Sequence, residues 1–295
     1  MNQLVQEIVD GLGVGSTYAL LALGLAIVFG VMHLVNFAHG ELITVSAYVI
    51  YGLSTRDVSW WLMAPIAIVA AARTAVLTER VAFRRVRGSS EFTMLLTSFG
   101  LAIVIQALFR MYLSAAPRQF DQPGWINDTV EVLGINIEVY DLVVIGVTAL
   151  TLLGTLWVFQ RTMFGVSLRA AAEDFDAARL MGVKADTTLS RAFALSGVLA
   201  GIAAVFLMLR SGQAEPDVGT VPLLKGVVAA VIGGLGSLSG AVLGGLLLGL
   251  AEVMLRSRLP GDMARLTDAF VFALVAVLFI VRPGGIISVR RAERV

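Results

Sequence analysis

The residues that could do chemistry are few. The only histidines, His33 and His39, bracket the run His33-Leu-Val-Asn36-Phe37-Ala-His39-Gly40-Glu41, which lies between two apolar stretches. Six positions apart, they would not share one helical face, so no metal site is expected. Together with Glu41 they are the only source of an intramembrane acid–base pair, and no nucleophile accompanies them. The only lysines, Lys184 and Lys225, are followed by Ala185 and Gly226. The Gly-Lys-Ser/Thr ending of a P-loop is therefore missing, and the chain is not expected to hydrolyse nucleotide by that route. Cysteine is absent, which removes disulfides, thiolate chemistry and Cys-based zinc. What the run can do is line a path. Polar groups at membrane depth are costly and tend to face cavities, and broken helices there expose backbone to a solute. A polar turn at the membrane surface between two ordinary helices explains the same residues equally well.

The elements that would position these groups are membrane spans. Of 295 residues, 58% are hydrophobic and only 15% charged, with a mean hydropathy of +0.87. Soluble domains are about 45–50% apolar and about 25% charged, so both shifts point to lipid. A net charge of +1 gives no footprint for nucleic acid. Segments 11–32, 60–83, 92–114, 141–159, 187–209 and 266–282 are long enough to span. Segment 42–53 is too short unless the preceding polar run lies at membrane depth. The run 221–256 is too long for one span and is split by Gly233-Gly234-Leu-Gly236-Ser237, which predicts two short helices around a glycine turn. The fold expected is an all-α polytopic bundle of about eight or nine spans with broken helices near its centre. It forms a single transmembrane domain over 1–295, with an external segment 115–140 and a cytoplasmic segment 161–186.

Charge orients the bundle. Arg80, Arg84, Arg85 and Arg87 form one basic cluster, Arg161, Arg169, Arg179, Lys184 and Arg191 a second, and Arg282, Arg290, Arg291 and Arg294 a third. By the positive-inside rule all three are cytoplasmic, and the acid-rich 115–140 is external. Counting crossings then places the N-terminus outside and the C-terminus in the cytoplasm. The first ten residues hold no base, so a cleavable signal is not expected.

Within the cytoplasmic segment, Arg169-Ala-Ala-Ala-Glu173-Asp-Phe-Asp176-Ala177-Ala178-Arg-Leu-Met-Gly182 predicts one short amphipathic helix stopped at Gly182. It could dock into a groove on a partner or lie on the bilayer. Its acidic cluster disfavours anionic lipid. Small-xxx-small pairs such as Gly11/Gly15 and Gly245/Gly249 predict close helix packing. Inside the spans, Arg73 calls for a subunit, a cavity or a carboxylate such as Glu79. Gln106 could bond across helices or touch solute, and Glu252 could reach the interface.

These residues together resemble the bacterial branched-chain amino-acid ABC importer permeases, specifically the H-type (LivH-like) subunit. The likeness covers nearly the whole chain. It is carried by Gly11-Leu-Gly-Val-Gly-Ser-Thr-Tyr18, Asn36-Phe37-Ala-His39-Gly40-Glu41, Glu79-Arg80, Ala177-Ala178-Arg-Leu-Met-Gly182, Pro216-Asp-Val-Gly219, Lys225-Gly226, the Gly233 to Ala241 block and Arg282-Pro283-Gly-Gly285. The resemblance implies a translocation path near Tyr18, Asn36, Phe37, His39, Gly40, Glu41, Gln106, Gly233, Gly234 and Gly236. It implies ATPase coupling through Arg169, Glu173, Asp176, Ala177, Ala178 and Gly182, where Asp176 replaces the glutamate of the coupling pattern. The partners implied are a second, M-type permease, two cytoplasmic ATP-binding subunits that hold the ATP and Mg, and a periplasmic or lipid-anchored solute-binding protein. The chain itself is expected to carry no cofactor and to sit in the bacterial inner membrane. Arg85 stands where a proline is usual, Ser46 where a glycine is common, and Arg73 is unusual for its span. The principal rival is a self-contained channel or ion-coupled transporter, which would move solute without an ATPase. The substrate implied is a branched-chain amino acid, another amino acid, an amide or urea.

Overall fold

The computed structural model describes residues 2–113, 115–132, 135–260, 263 and 266–281. The arginines of the C-terminal tail and Pro283 to Gly285 lie outside the described residues. Six described helices are long and apolar enough to cross a membrane. They lie in α1 (Asn2–Met32), α3 (Trp60–Thr78), α5 (Glu91–Tyr112), α6 (Val139–Arg161), α9 (Ala185–Ser211) and α11 (Leu238–Arg258). Three shorter apolar helices accompany them: α2 (Gly40–Ser54), α10 (Thr220–Gly233) and α12 (Thr267–Val281). α3 runs on through a π turn at Glu79–Phe83 into α4 (Arg84–Val86). α7 (Met163–Glu173) and α8 (Phe175–Leu180) follow α6. The bundle with broken helices is therefore as expected, with one correction: the second helix of the 221–256 run is not short. α11 reaches Arg258 over 21 residues, because the glycine break falls nearer the start of the run and leaves 14 residues in α10 before it.

Helix ends are set by local chemistry. The hydroxyl of Ser237 accepts from the Gly240 amide at 3.0 Å and starts α11. Gly212, at φ +64°, ends α9 in the left-handed conformation that lacks a Cβ penalty. Between α10 and α11, Gly234 and Gly236 both have positive φ.

α1 and α9 form the core. In their most apolar stretches 78% and 72% of residues are buried, against 17% for α5, which therefore rides on the outside. Glycine makes the core possible. A Cβ on Gly249 would run into the backbone of Gly15, one on Gly245 into Ala19, and one on Gly11 into Leu250. The α1–α11 contact is thus backbone against backbone, as the small-residue spacing predicts.

The long connection 115–140 is not featureless. β2 (Thr129–Val132) and β3 (Ile135–Glu138) pair as an antiparallel hairpin. β1 (Arg118–Gln119) pairs with β4 (Gln213–Ala214), tying that connection to the end of α9. This end of the bundle also holds the start of α1, where Arg258 meets Glu7 at 3.4 Å. The opposite end gathers two of the basic clusters: Arg87 pairs with Asp186 and lies 4.9 Å from the Phe175 ring centroid.

Candidate functional site

Two of the short helices begin at the same place. α2 and α10 hold 15 and 14 residues, which at about 1.5 Å per residue is only about 22 Å, less than the roughly 30 Å of a hydrocarbon core. Gly40, first in α2, touches Gly219, which precedes α10; a Cβ on Gly219 would collide with the Gly40 carbonyl. From this junction α2 runs towards the hairpin end, where Ser54 lies beside Gln119. α10 runs the other way, towards the basic end. The chain reaches the junction through the non-helical segment 33–36 and a 3-10 turn over Phe37–His39. Asn36 starts that turn, its side-chain oxygen accepting from the Ala38 amide at 3.0 Å. His33 is exposed at the end of α1, whereas Asn36 and the stretch from Ala38 to Glu41 are buried within the bundle.

α5 meets α2 along three rungs. Phe37 stacks on Phe99 with centroids 4.0 Å apart, and Tyr48 stacks on Phe109 at 4.5 Å. Between them Gln106 donates to Glu41 Oε1 at 2.7 Å and to Thr220 Oγ1 at 3.3 Å. The spacing 37, 41, 44, 48 puts Phe37, Glu41, Thr44 and Tyr48 on one side of the 3-10 turn and α2, a face that runs past both aromatic rungs. Glu41 is 2% exposed, and its second oxygen, like the hydroxyls of Thr44 and Tyr48, has no hydrogen-bond partner among the described residues. Above this seam Arg110 and Asp217 form an ion pair at 3.7 Å. A polar rung between two aromatic rungs, at the meeting point of two half-helices, is suited to a solute with both polar and apolar parts.

The structure does not bring all the expected path residues to this seam. His39 is turned inward, its Nδ1 3.3 Å from Ser196 Oγ, and its ring fills the space left by Gly24. Tyr18 belongs to a separate buried cluster. Its hydroxyl donates to Glu252 Oε2 at 2.8 Å and accepts from Lys225 Nζ at 3.0 Å. Lys225 also reaches Glu252 Oε1 at 2.8 Å and Asp268 Oδ1 at 2.9 Å. Glu252 is thus not an interfacial residue; it is buried in an ion cluster joining α1, α10, α11 and α12. Gly233, Gly234 and Gly236 lie at the far end of α10 from Glu41. Gly233 packs against Gly240, and Gly236 lines a cleft of roughly 410 Å³ with Gly30, Arg169 and Ser239.

Segment 161–186 also departs from one continuous helix. Asp174 adopts an extended conformation (φ −154°, ψ 110°), ends α7 after Glu173, and caps α8 by accepting from the amides of Asp176 and Ala177. An aspartate just ahead of a short helix is a capping signal the sequence already carried. Arg169 donates to the Phe159 carbonyl and so pins α7 to the end of α6. Ala178 is buried, whereas Leu180 and Met181 are 88% and 85% exposed. Gly182, at φ +85°, closes the turn as expected, with the Val183 amide bonded to the Ala178 carbonyl at 3.0 Å.

Glu79, one of three options offered for Arg73, has partners that sequence reasoning did not name. It is fully buried and bound by Arg87 at 2.7 Å, Arg84 at 3.3 Å and Ser190 at 2.7 Å. The π turn swings these arginines back onto it, which a straight helix would not do. Arg73 is exposed and makes no ion pair with it. Among the described residues no cluster of His, Cys, Asp and Glu could hold a metal.

Comparison with known proteins covers the same ground. Residues 7–281 match the family described as the permease component of the branched-chain amino acid transport system. The chain is similar to the high-affinity branched-chain amino acid transport system permease protein BraD of Pseudomonas aeruginosa, with 31% identity over 99% of this chain and 98% of that one. It is similar to the LivH permease proteins of Salmonella typhimurium and of Escherichia coli K12, each with 32% identity over 99% of this chain and 97% of the relative.

Proposed function

We propose, from the premise that this chain belongs to the family of branched-chain amino acid transport permease components, that it forms one half of the membrane path of an ABC importer for branched-chain amino acids. A permease component is a multi-pass inner-membrane subunit and not the enzyme of its transporter; the ATPase activity resides in other subunits. The observation that carries the reading is the junction of α2 and α10, where Glu41, Gln106 and Thr220 meet between two aromatic rungs. Discontinuous helices that begin inside the membrane are the usual place for a transported solute to bind.

The path runs along Phe37, Glu41 and Gln106, with Asn36 and Gly40 shaping the turn beneath them. Tyr18 and His39 support it from behind. The Gly233–Gly236 turn lies on the basic side, next to Arg169. That side is cytoplasmic and the N-terminus is external, because Arg80, Arg84, Arg85, Arg87 and the 161–191 bases gather there. The single domain over 1–295 is thus read with 161–186 inside and 115–140 outside. Coupling to the ATPases falls to α7 and α8: Arg169, Glu173, Asp176, Ala177 and Ala178 build them, and Gly182 fixes the tip. Support comes from Leu180 and Met181, two large apolar side chains held out beyond a small buried base. Such a knob suits a cleft on a soluble partner. A second, M-type permease, two ATP-binding subunits that hold ATP and Mg, and a solute-binding protein complete the assembly.

Gentle purification of the tagged chain tests this. Recovery of a second permease with two P-loop ATPases is the expected result, and a clean homo-oligomer from well-folded material rejects it. Within the assembled complex, Gly182→Asp puts a side chain on a backbone at φ +85° and a charge at the knob. ATP hydrolysis should then run without leucine uptake while membrane insertion is retained, and normal uptake would reject the coupling role.

A further inference from the structure

Five carboxylates are buried among the described residues: Glu7, Glu41, Glu79, Asp141 and Glu252. Four of them have a basic partner. Glu7 has Arg258 at 3.4 Å, Glu79 has Arg87 at 2.7 Å, Asp141 has Arg210 at 3.9 Å, and Glu252 has Lys225 at 2.8 Å. Glu41 is the one of the five that forms no ion pair with any described residue; its neighbours Gln106 and Thr44 are neutral, and its Oε2, like Glu7 Oε2 and Asp141 Oδ1, lacks a well-formed hydrogen bond. The nearest arginine on α5, Arg110, is turned to Asp217. A buried carboxylate left half-satisfied is unfavourable by several kcal/mol in order of magnitude unless something else meets it. Around the seam the carboxylates Glu41 and Asp217 outnumber the one guanidinium, Arg110.

We infer that Glu41 is a cation-binding station on the path: Oε2 receives the ammonium group of the passing solute, while the flanking aromatic rungs hold its apolar side chain. This rests on the permease reading above and assigns a residue to the recognition step. An organic ammonium fits better than a metal ion. One carboxylate, one amide and nearby threonine hydroxyls give too few oxygens for a hard cation, which takes about six to eight. The stacked rings of Phe37 with Phe99 and Tyr48 with Phe109 offer π faces and an apolar wall instead. Thr44 and Tyr48 continue the same face of α2 towards the hairpin end, and their hydroxyls extend the polar surface beyond Glu41.

The test is L-leucine uptake by the whole reconstituted importer carrying Glu41→Gln or Glu41→Asp. Glutamine has the shape of glutamate and keeps an oxygen for Gln106, but lacks the charge; aspartate keeps the charge but is shorter. A charge station predicts that Glu41→Gln assembles and loses at least about ten-fold in uptake per complex, with Glu41→Asp recovering most of it. Wild-type uptake by Glu41→Gln would overturn the proposal, because a neutral group would then suffice. Failure of Glu41→Gln to assemble, or equal damage in both variants, would also overturn it, by making Glu41 a packing residue. An assembled wild-type importer that moves no leucine would remove the substrate reading and this one together, whereas the first result removes this one alone.

Discussion

Two carboxylates buried in the same bundle are treated in opposite ways. Glu252 has both oxygens engaged, by Lys225 and by the Tyr18 hydroxyl, and Lys225 spends its three donors on Glu252, Tyr18 and Asp268. Glu41 has one oxygen engaged by a neutral amide and the other idle. Their surroundings differ as well. The Lys225 cluster joins four helices, α1, α10, α11 and α12, one of them the most buried span, whereas the Glu41 seam is closed on one side by α5, the least buried of the six spans. A closed network fixes a half-helix in the bundle. An open one leaves a carboxylate oxygen for a group that is not part of the chain.

The contrast can be broken most sharply at Lys225. Lys225→Met removes the cation from two carboxylates and a phenol, and is expected to destabilise the chain by about 3–5 kcal/mol. Thermal unfolding of the detergent-solubilised complex would read this as a large fall in midpoint, and an unchanged midpoint would show that the cluster is not a structural lock. Next in size is the junction itself. Gly219→Ala drives a methyl group into the Gly40 carbonyl and should cost about 1–3 kcal/mol through displacement of α2 from α10. It should reduce uptake as well, because the displaced rung includes Glu41 and Thr220; a variant with native stability and uptake would mean the two helix starts are not held together. The smallest effect sharpens the comparison from the other side. Glu41→Gln relieves an unpaired charge and should leave the chain at least as stable as the wild type, although uptake falls. A loss of stability as large as that of Lys225→Met would erase the distinction between the two sites.

Much of this architecture was legible before any coordinates. The break at Gly233 to Ser237, the stop at Gly182 and the half-length of α2 all follow from local rules: apolar run length, positive-φ glycines and caps. The pairing of Gly11 and Gly15 with Gly245 and Gly249 was legible as spacing, although only the structure showed which helix met which. Asp174 could have been read as a cap and was instead absorbed into one continuous helix. Tyr18, Glu41 and the glycine turn were expected along one path. They are spread along α10, which carries the Glu41 junction at one end, the glycine turn at the other and Lys225, the partner of Tyr18, between them.

By itself the sequence determined that the chain crosses a lipid bilayer many times, where its helices break, and which end carries positive charge. Each of these depends on residues close together in the chain, through burial of apolar length and backbone hydrogen bonds that a helix satisfies internally. Only the tertiary structure decided which charges are neutralised. Tyr18 meets Glu252 across 234 positions, and Gln106 meets Glu41 across 65. A charge buried away from water is governed by whichever partner the fold places within a few ångströms, and no local pattern encodes that distance. For Glu252 the fold supplied a lysine; for Glu41 it supplied an amide and left one oxygen free.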